Sequence, residues 1–459
     1  MAAYFVDALR NTYEEDADWR PYPNAEDGTP ARLTYAFLTS VPDWTPDEFG
    51  DPHDGFARYT ARQIDRVERA IHAYEAVANV HFTRVEGTAD VNFGQFDIGE
   101  ADVQGYSWNT WTYKPTGDLY GYPDDDGLMR PNEVWYDTKI GVIHYDVVLH
   151  EVGHTLGLKH PVQYSDADPA EPVLPPWEDK GENTIMSYNR EAGTDELGLY
   201  DIIALQSIYG PAQSRRGDNV YVFGEDKLIW DGGGEDRITA RDAEEGVRLD
   251  LGGGTWNYEG AKGRSLLWGG QVFLGYYTEI ENADGSAFDD RLTGNGLANR
   301  LLGLDGDDFL RGLRGPDRLV GGDGDDTLSG GDNRDRLLGG DGDDWLTGGR
   351  NLDQLRGGEG ADRFIYTAAA DSTVRFRDVV LDFHRSERDL VDLSGLAKDG
   401  PALRFVGTAG FSDRAGEVRY DHHAAEGTRI VADLDGDGTA DFAIGLEGHI
   451  ALREADLIL

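Results

Sequence analysis

From residue 285 onward the chain repeats every nine residues. Glycine opens each unit, at Gly285, Gly294, Gly303, Gly312, Gly321, Gly330, Gly339, Gly348 and Gly357, with no break in phase. The sixth position is Asp290, Asp308, Asp317, Asp326, Asp335, Asp344, Asp353 and Asp362, with Asn299 filling the remaining unit. The eighth position is leucine throughout except for Phe364. A disordered tail would not hold an apolar residue at one phase nine times, so this stretch is folded and repetitive. Its Gly-Asp turns offer carbonyl and carboxylate oxygens, which are ligands for a hard cation.

The unit resembles the GGxGxDxUx nonapeptide of the repeats-in-toxin (RTX) class. That resemblance implies a parallel β-roll with two nonapeptides per coil, in which loops eighteen residues apart stack on one edge and bind Ca²⁺. The loops "GLDGDD", "GGDGDD", "GGDGDD" and "GGEGAD", starting at 303, 321, 339 and 357, share one edge. They nominate Asp305, Asp308, Asp323, Asp326, Asp341, Asp344 and Asp362 as calcium ligands. The loops between them read "GNGLAN", "GLRGPD", "GGDNRD" and "GGRNLD", and they carry or adjoin Arg300, Arg314, Arg318, Arg334, Arg336 and Arg350. The expectation is that one edge holds a row of calcium ions, while on the other guanidinium groups pair with the remaining aspartates. Simple erosion of the second edge is the alternative.

The strongest local signal for chemistry is "VVLHEVGHTLGLKHP", residues 147–161. His150 and His154 are four apart and share a helix face, where two imidazoles can hold one Zn²⁺, with Glu151 beside them as a base for a bound water. On a straight helix His160 would lie roughly 15 Å beyond His150 at about 1.5 Å per residue, too far to share that ion. The helix therefore has to end between them, and Gly157 supplies the left-handed turn that returns the chain.

These residues resemble the metzincin zinc endopeptidases, with their HExxHxxGxxH motif and a following methionine turn, here "NTIMSYN" with Met186. Within that group the chain is similar to the serralysin family, because Ser187-Tyr188 follows the methionine and RTX repeats follow the catalytic region. The resemblance implies one catalytic zinc held by His150, His154, His160 and a displaceable Tyr188, whose phenol also stabilises the tetrahedral intermediate. It makes Glu151 the general base and then the acid for the leaving amine. It makes "DVQGYSWN", residues 102–109, the edge strand that pairs with an extended substrate. A further calcium site is implied at Arg215, Gly217, Asn219, Asp231, Gly233 and Asp236, where Asn219 replaces a common threonine. "ADLDGDGTADF", residues 432–442, lacks the glutamate of an EF-hand at its twelfth position, Ile444; calcium binding and a bare β-turn both stay open there.

The expected fold is an α+β metzincin-type catalytic domain followed by an all-β part, a parallel β-roll with a β-sandwich-like end. The divisions read as 1–20, a leader or propeptide-like segment with a mobile terminus as the simpler account; 21–212, the protease; 213–370, the roll; and 371–459, a C-terminal β-region. In the protease part, Ile64, Val67, Ile71, Tyr74 and Val77 fall on one helix face, and Thr60 with Gln63 forms a capping box.

Charge and compartment follow from composition. A formal charge of -45, from 87 Asp+Glu against 42 Lys+Arg, disfavours nucleic acid and anionic lipid as partners. No apolar run of about 18 residues is present to cross a membrane, and the first twenty residues lack the features of a secretory signal peptide. Zero cysteines fit a cytosolic protein and an exported one alike. The family resemblance decides it: secretion through a type I ABC apparatus that reads an uncleaved C-terminal signal, here "EADLIL". The implied partners are protein or peptide substrates, that apparatus and a periplasmic protein inhibitor, for a monomeric protein. A catalytically inactive RTX adhesin or surface-layer protein is the alternative function. An RTX lipase is disfavoured, since no GxSxG elbow occurs.

Overall fold

The structure is a computed structural model, and it describes residues 4–10, 28–42, 51, 53, 55–98, 104–108, 111–113, 119–121, 132–140, 143–161, 172–189, 196–212, 216–398, 401–423 and 427–459. The chain divides into two compact units. One comprises the residues up to Arg215 together with Trp230–Gly232 and Gly275–Thr278; the other comprises Arg216–Ile229, Gly233–Leu274 and Glu279–Leu459.

The first unit is α+β. Its elements are α1 (Tyr4–Leu9), β1 (Ala31–Phe37), α2 (Ala61–Glu75), β2 (Val80–Arg84), β3 (Val91–Phe96), β4 (Gly105–Trp108), a small hairpin of β5 (Trp111–Tyr113) and β6 (Leu119–Gly121), β7 (Asn132–Asp137), α3 (Tyr145–Thr155) and α4 (Leu199–Tyr209). The five-stranded sheet runs β2-β1-β3-β7-β4. All neighbours are parallel except β4, which lies antiparallel to β7 with Tyr106 opposite Trp135 and Ser107 opposite Val134. Gly105–Trp108, expected to pair with substrate, is thus an edge strand. β3 is buried along its whole length, as expected of a strand covered on both faces.

α2 forms where the apolar spacing predicts it, with Val67, Ala70, Ile71 and Tyr74 buried. Its N-terminus carries the expected reciprocal cap, Thr60 with Gln63. The Tyr74 hydroxyl donates to the Leu149 carbonyl at 2.6 Å, which fixes α2 against α3.

In the second unit the nonapeptides alternate between two parallel sheets. Leu301, Leu319, Leu337 and Leu355 stand abreast in one, and Leu292, Leu310, Leu328, Leu346 and Phe364 in the other. All nine are buried in one continuous core. Each strand therefore contributes its single large apolar side chain inward while its flanking residues face out.

The first and last described segments each pack into their own unit. Tyr4–Leu9 is a helix whose Phe5, Val6, Ala8 and Leu9 are fully buried, with Phe5 stacked on Tyr200 of α4 at 4.6 Å. Burial of these four apolar side chains holds the helix against the rest of the unit. Residues 371–459 begin no new layer pair. Val379–Val380, Phe442–Leu446, Gly427–Asp433 and Glu417–His423 extend one sheet of the roll, and Leu390–Asp392 and Leu457–Ile458 extend the other. An open parallel sheet end needs covering, and this segment supplies the strands.

Candidate metal centre and calcium loops

α3 ends as the sequence requires. Gly157 has φ of +86°, its N–H donates to the His154 carbonyl, and the Leu158 N–H donates to the Gly153 carbonyl, both at 3.0 Å. These two bonds constitute a Schellman C-cap. Beyond the turn His160 returns to the helix. Its Nε2 lies 2.9 Å from Nε2 of His150 and 3.1 Å from Nε2 of His154.

The other ring nitrogens are anchored on main chain. His150 Nδ1 donates to the Ile185 carbonyl and His154 Nδ1 to the Leu158 carbonyl, each at 2.9 Å. Those bonds fix the tautomers, so the Nε2 lone pairs of both rings point to the common centre. Three imidazole nitrogens facing one another repel unless a cation lies between them. Ligands at about 2.0–2.1 Å from a tetrahedral ion stand roughly 3.3 Å apart, close to the separations here. The residues fit a zinc ion.

Glu151 is buried on the same helix turn. Its carboxylate adds to the effect of burial in pushing the Tyr136 phenol well up. Tyr188 stands at the open side, its ring centred 4.5 Å from that of His160 and 62% exposed. Met186 is fully buried, its sulfur against Gly153 of α3. A Cβ on Gly153 would come within 2.9 Å of its sulfur and 2.8 Å of the Tyr74 hydroxyl, so only glycine admits this floor.

Three supports escaped the motif reading. Asp201 of α4 is completely buried; it accepts from Thr184 Oγ1 at 2.5 Å, Ile185 N at 2.7 Å and Gly198 N at 2.8 Å. It thereby holds Ile185, the residue whose carbonyl orients His150. The Tyr209 hydroxyl donates to the Leu156 carbonyl at 2.9 Å, and the Lys159 N–H donates to the Leu9 carbonyl at 2.8 Å. The N-terminal helix thus braces the return strand one residue before His160. An acidic residue three positions after Gly198 is a helix-start signal, but no sequence pattern tells what it grips.

In the roll, the sixth-position aspartates form two ladders. On the first edge Asp290, Asp308, Asp326 and Asp344 donate their N–H to Oδ1 of Asp308, Asp326, Asp344 and Asp362, at 2.8–3.1 Å. On the second edge Asn299, Asp317, Asp335 and Asp353 do the same to Asp317, Asp335, Asp353 and Asp378, at 2.8–2.9 Å. Oδ2 of all seven repeat aspartates from Asp308 to Asp362 is buried without a hydrogen-bond partner. Burial pushes their carboxyls up, to about 8 for Asp308 and Asp344 and about 7 for Asp317, Asp326, Asp335, Asp353 and Asp362. Orphaned, desolvated acceptors of this kind fit a bound cation.

One expectation changes here. The second-edge aspartates Asp317, Asp335 and Asp353 are not paired with arginine among the described residues; in those loops the ion pair is Arg314 with the more exposed Asp332, at 3.8 Å. Buried carboxylates face inward along the ladder, and the long guanidinium side chains stay in water instead. The third-position residues Asp305, Asp323 and Asp341 are exposed, and the last two contribute main-chain carbonyls, accepting from Gly306 and Gly324 at 2.8 Å. The fifth-position Asp307, Asp325 and Asp343 form the outer side-chain ladder.

Of the further site, Arg215 lies outside the described residues. Gly217 N–H donates to the Gly233 carbonyl, and Asn219 N–H to Oδ1 of the buried Asp236, both at 2.8 Å; Asp231 is also buried. In the 432–442 turn, Asp433, Asp435 and Asp441 lie close, but Asp433 accepts from the loop's own Gly436 and Gly438 N–H groups.

A family profile described as peptidase M10 serralysin C terminal matches residues 219–459. Serralysin G of Dickeya chrysanthemi is 32% identical over 468 residues, covering 94% of this chain and 86% of its own. Metallopeptidase AprA of Pseudomonas marginalis is 31% identical, covering 92% and 85%, and a serralysin C of Dickeya chrysanthemi is 32% identical, covering 94% and 86%. The class is that of the metallopeptidases. Within it, the chain belongs to the serralysin family. No described helix is long and apolar enough to cross a membrane.

Proposed function

We propose that the protein is a secreted zinc endopeptidase whose roll is folded and stabilised by calcium. The observation that carries the reading is the convergence of three histidine Nε2 atoms, two of them with their Nδ1 protons committed to main-chain carbonyls. His150, His154 and His160 hold the ion, and Tyr188 stands where a displaceable fourth ligand would. Bound zinc supplies Lewis acidity to a water and to the scissile carbonyl. Glu151 takes the proton of the attacking water on its carboxylate and passes it to the leaving amine. The Tyr188 phenol, exposed beside His160, donates to the oxygen that gains charge. β4, last in the order of the described sheet, receives an extended peptide by main-chain pairing, which favours broad sequence tolerance.

The seven unpartnered Oδ2 atoms support calcium binding along both edges, on Asp308, Asp326, Asp344 and Asp362 of one and Asp317, Asp335 and Asp353 of the other. Secretion by a type I apparatus fits a tail that folding hides: Leu457 and Ile458 pair with Val391 and Asp392 in the roll, so "EADLIL" is legible only before folding.

Glu151→Gln tests the mechanism. Zinc content by elemental analysis is expected to stay at one per chain while cleavage of a fluorogenic peptide falls by about 10³-fold or more. Retained cleavage contradicts the base assignment; zinc-loaded wild-type protein without cleavage supports the inactive-adhesin alternative.

A further inference from the structure

With Asp317, Asp335 and Asp353 unpaired to arginine among the described residues, Arg318 and Arg336 are available for another role, and the strand register aligns them with other polar residues. Arg237–Thr239, Asn282–Asp284, Arg300–Asp305, Arg318–Asp323, Arg336–Asp341 and Gln354–Glu359 are consecutive parallel neighbours. Their register sets Arg237, Asn282, Arg300, Arg318, Arg336 and Gln354 directly abreast. Each precedes a buried apolar residue; Arg318 and Arg336 are exposed and Arg237, Arg300 and Gln354 partly so, while Asn282 is buried and donates its amide to the Asp236 carbonyl.

Arg237 and Arg300 each approach Asp284 at 3.8 Å. Arg318 and Arg336 are exposed and enter no ion pair among the described residues. Two residues further along the same face, half-buried Val320 and Leu338 form an aliphatic strip beside the guanidinium row. Exposed Arg314 and Arg334 extend the positive charge into the adjoining loops, where the carboxylate at the surface is Asp332. On a chain of formal charge -45 this is a local reversal of sign.

We infer that this arginine ladder docks an extended acidic polysaccharide, one that carries a carboxylate on each sugar. Adjacent strands are about 4.8 Å apart, close to the length of one extended pyranose unit, so the guanidinium groups of Arg318 and Arg336 fall in step with neighbouring sugars. Arginine's planar fork matches a carboxylate in two-point contact. The aliphatic strip fits the C–H face of a sugar ring, and Gln354 offers an amide group for a hydroxyl at one end of the row. Duplex nucleic acid, with one charge per about 1.7 Å of axis, has a charge density this single row does not match, and the net negative protein repels it. The inference does not depend on peptidase activity.

Binding of a fluorescent oligomannuronate to the full calcium-loaded chain, at fixed free calcium, tests it by anisotropy. Saturable binding is expected for the unaltered chain and none for a neutral 1,4-glucan of equal length. R318Q/R336Q is expected to bind about tenfold more weakly, the loss of two exposed charge-assisted contacts, with peptide cleavage and melting temperature unchanged. R318K/R336K, which keeps the charge and loses the fork, is expected to fall between, and it serves if the glutamine pair misfolds. Absence of binding, equal binding by the glutamine pair, or tighter binding of a single-stranded DNA oligomer overturns the inference.

Discussion

The buried carboxylate of Asp201 shows how far the metal centre extends beyond its ligands. It grips Thr184 and the Ile185 amide, and the Ile185 carbonyl in turn fixes His150 through Nδ1. Asp201→Asn keeps the volume but loses the charge and one acceptor, so the peptide behind His150 loosens. Zinc affinity in competition with a fluorescent chelator is expected to fall roughly 10–100-fold, the usual effect of removing a partner of a metal-binding histidine. Unchanged affinity would show that the peptide holds its place without Asp201. Gly153 is constrained as tightly: alanine there meets Met186 and Tyr74 within 3 Å. Overpacking of about 1–3 kcal/mol is expected in urea unfolding of Gly153→Ala.

At the scale of elements, local patterns were legible and distant ones were not. The Thr60–Gln63 cap, the break of α3 at Gly157 and the leucine phase of the roll all rest on residues within one or two turns of each other. The motif also located His160, because the reach of a helix is fixed. By contrast, the docking of α1 onto α4 and the contact of Leu9 with Lys159 join positions 195 and 150 residues apart with no periodic trace in the sequence. The same is true of Leu457 pairing beside Val391. The arginine reading failed for a different reason: spacing alone does not tell whether a carboxylate faces the ladder or the solvent. The leucine phase makes a direct prediction. Leu328 sits between Leu310 and Leu346, fully buried. Leu328→Ala is expected to cost about 2–5 kcal/mol in calcium-saturated urea unfolding. A loss under about 1 kcal/mol would mean that the coil shares no tight core.

For the molecule as a whole, the roll carries a row of carboxyls that folding makes harder to ionise. Their folded values, about 7 to 8, lie above the ordinary carboxylate range, so the calcium-free folded roll binds more protons than the unfolded chain. The stability they contribute is complete below the ordinary carboxylate range, near pH 4, and is lost as pH rises through 7 to 8. In chelator, thermal melting is therefore expected to shift downward from pH 5 to pH 8. Saturating calcium, which replaces those protons, is expected to flatten or reverse that slope; a calcium-free roll that gains stability with pH contradicts the assignment. With 87 acidic residues, repulsion adds in the same direction. On this account the calcium-free roll at neutral pH is held by its leucine core against the charge of its carboxylates.

The central claim is that three histidines on either side of one glycine turn hold the ion on which peptide cleavage depends. The most direct test strips the purified protein with a zinc-selective chelator, keeps calcium saturating, and titrates zinc back while peptide cleavage is followed. Cleavage is predicted to vanish in the stripped protein, to return in proportion to added zinc, and to plateau at one equivalent per chain, with His160→Ala recovering none of it. Full cleavage in the stripped protein, or recovery by His160→Ala at the same equivalence point, contradicts the account.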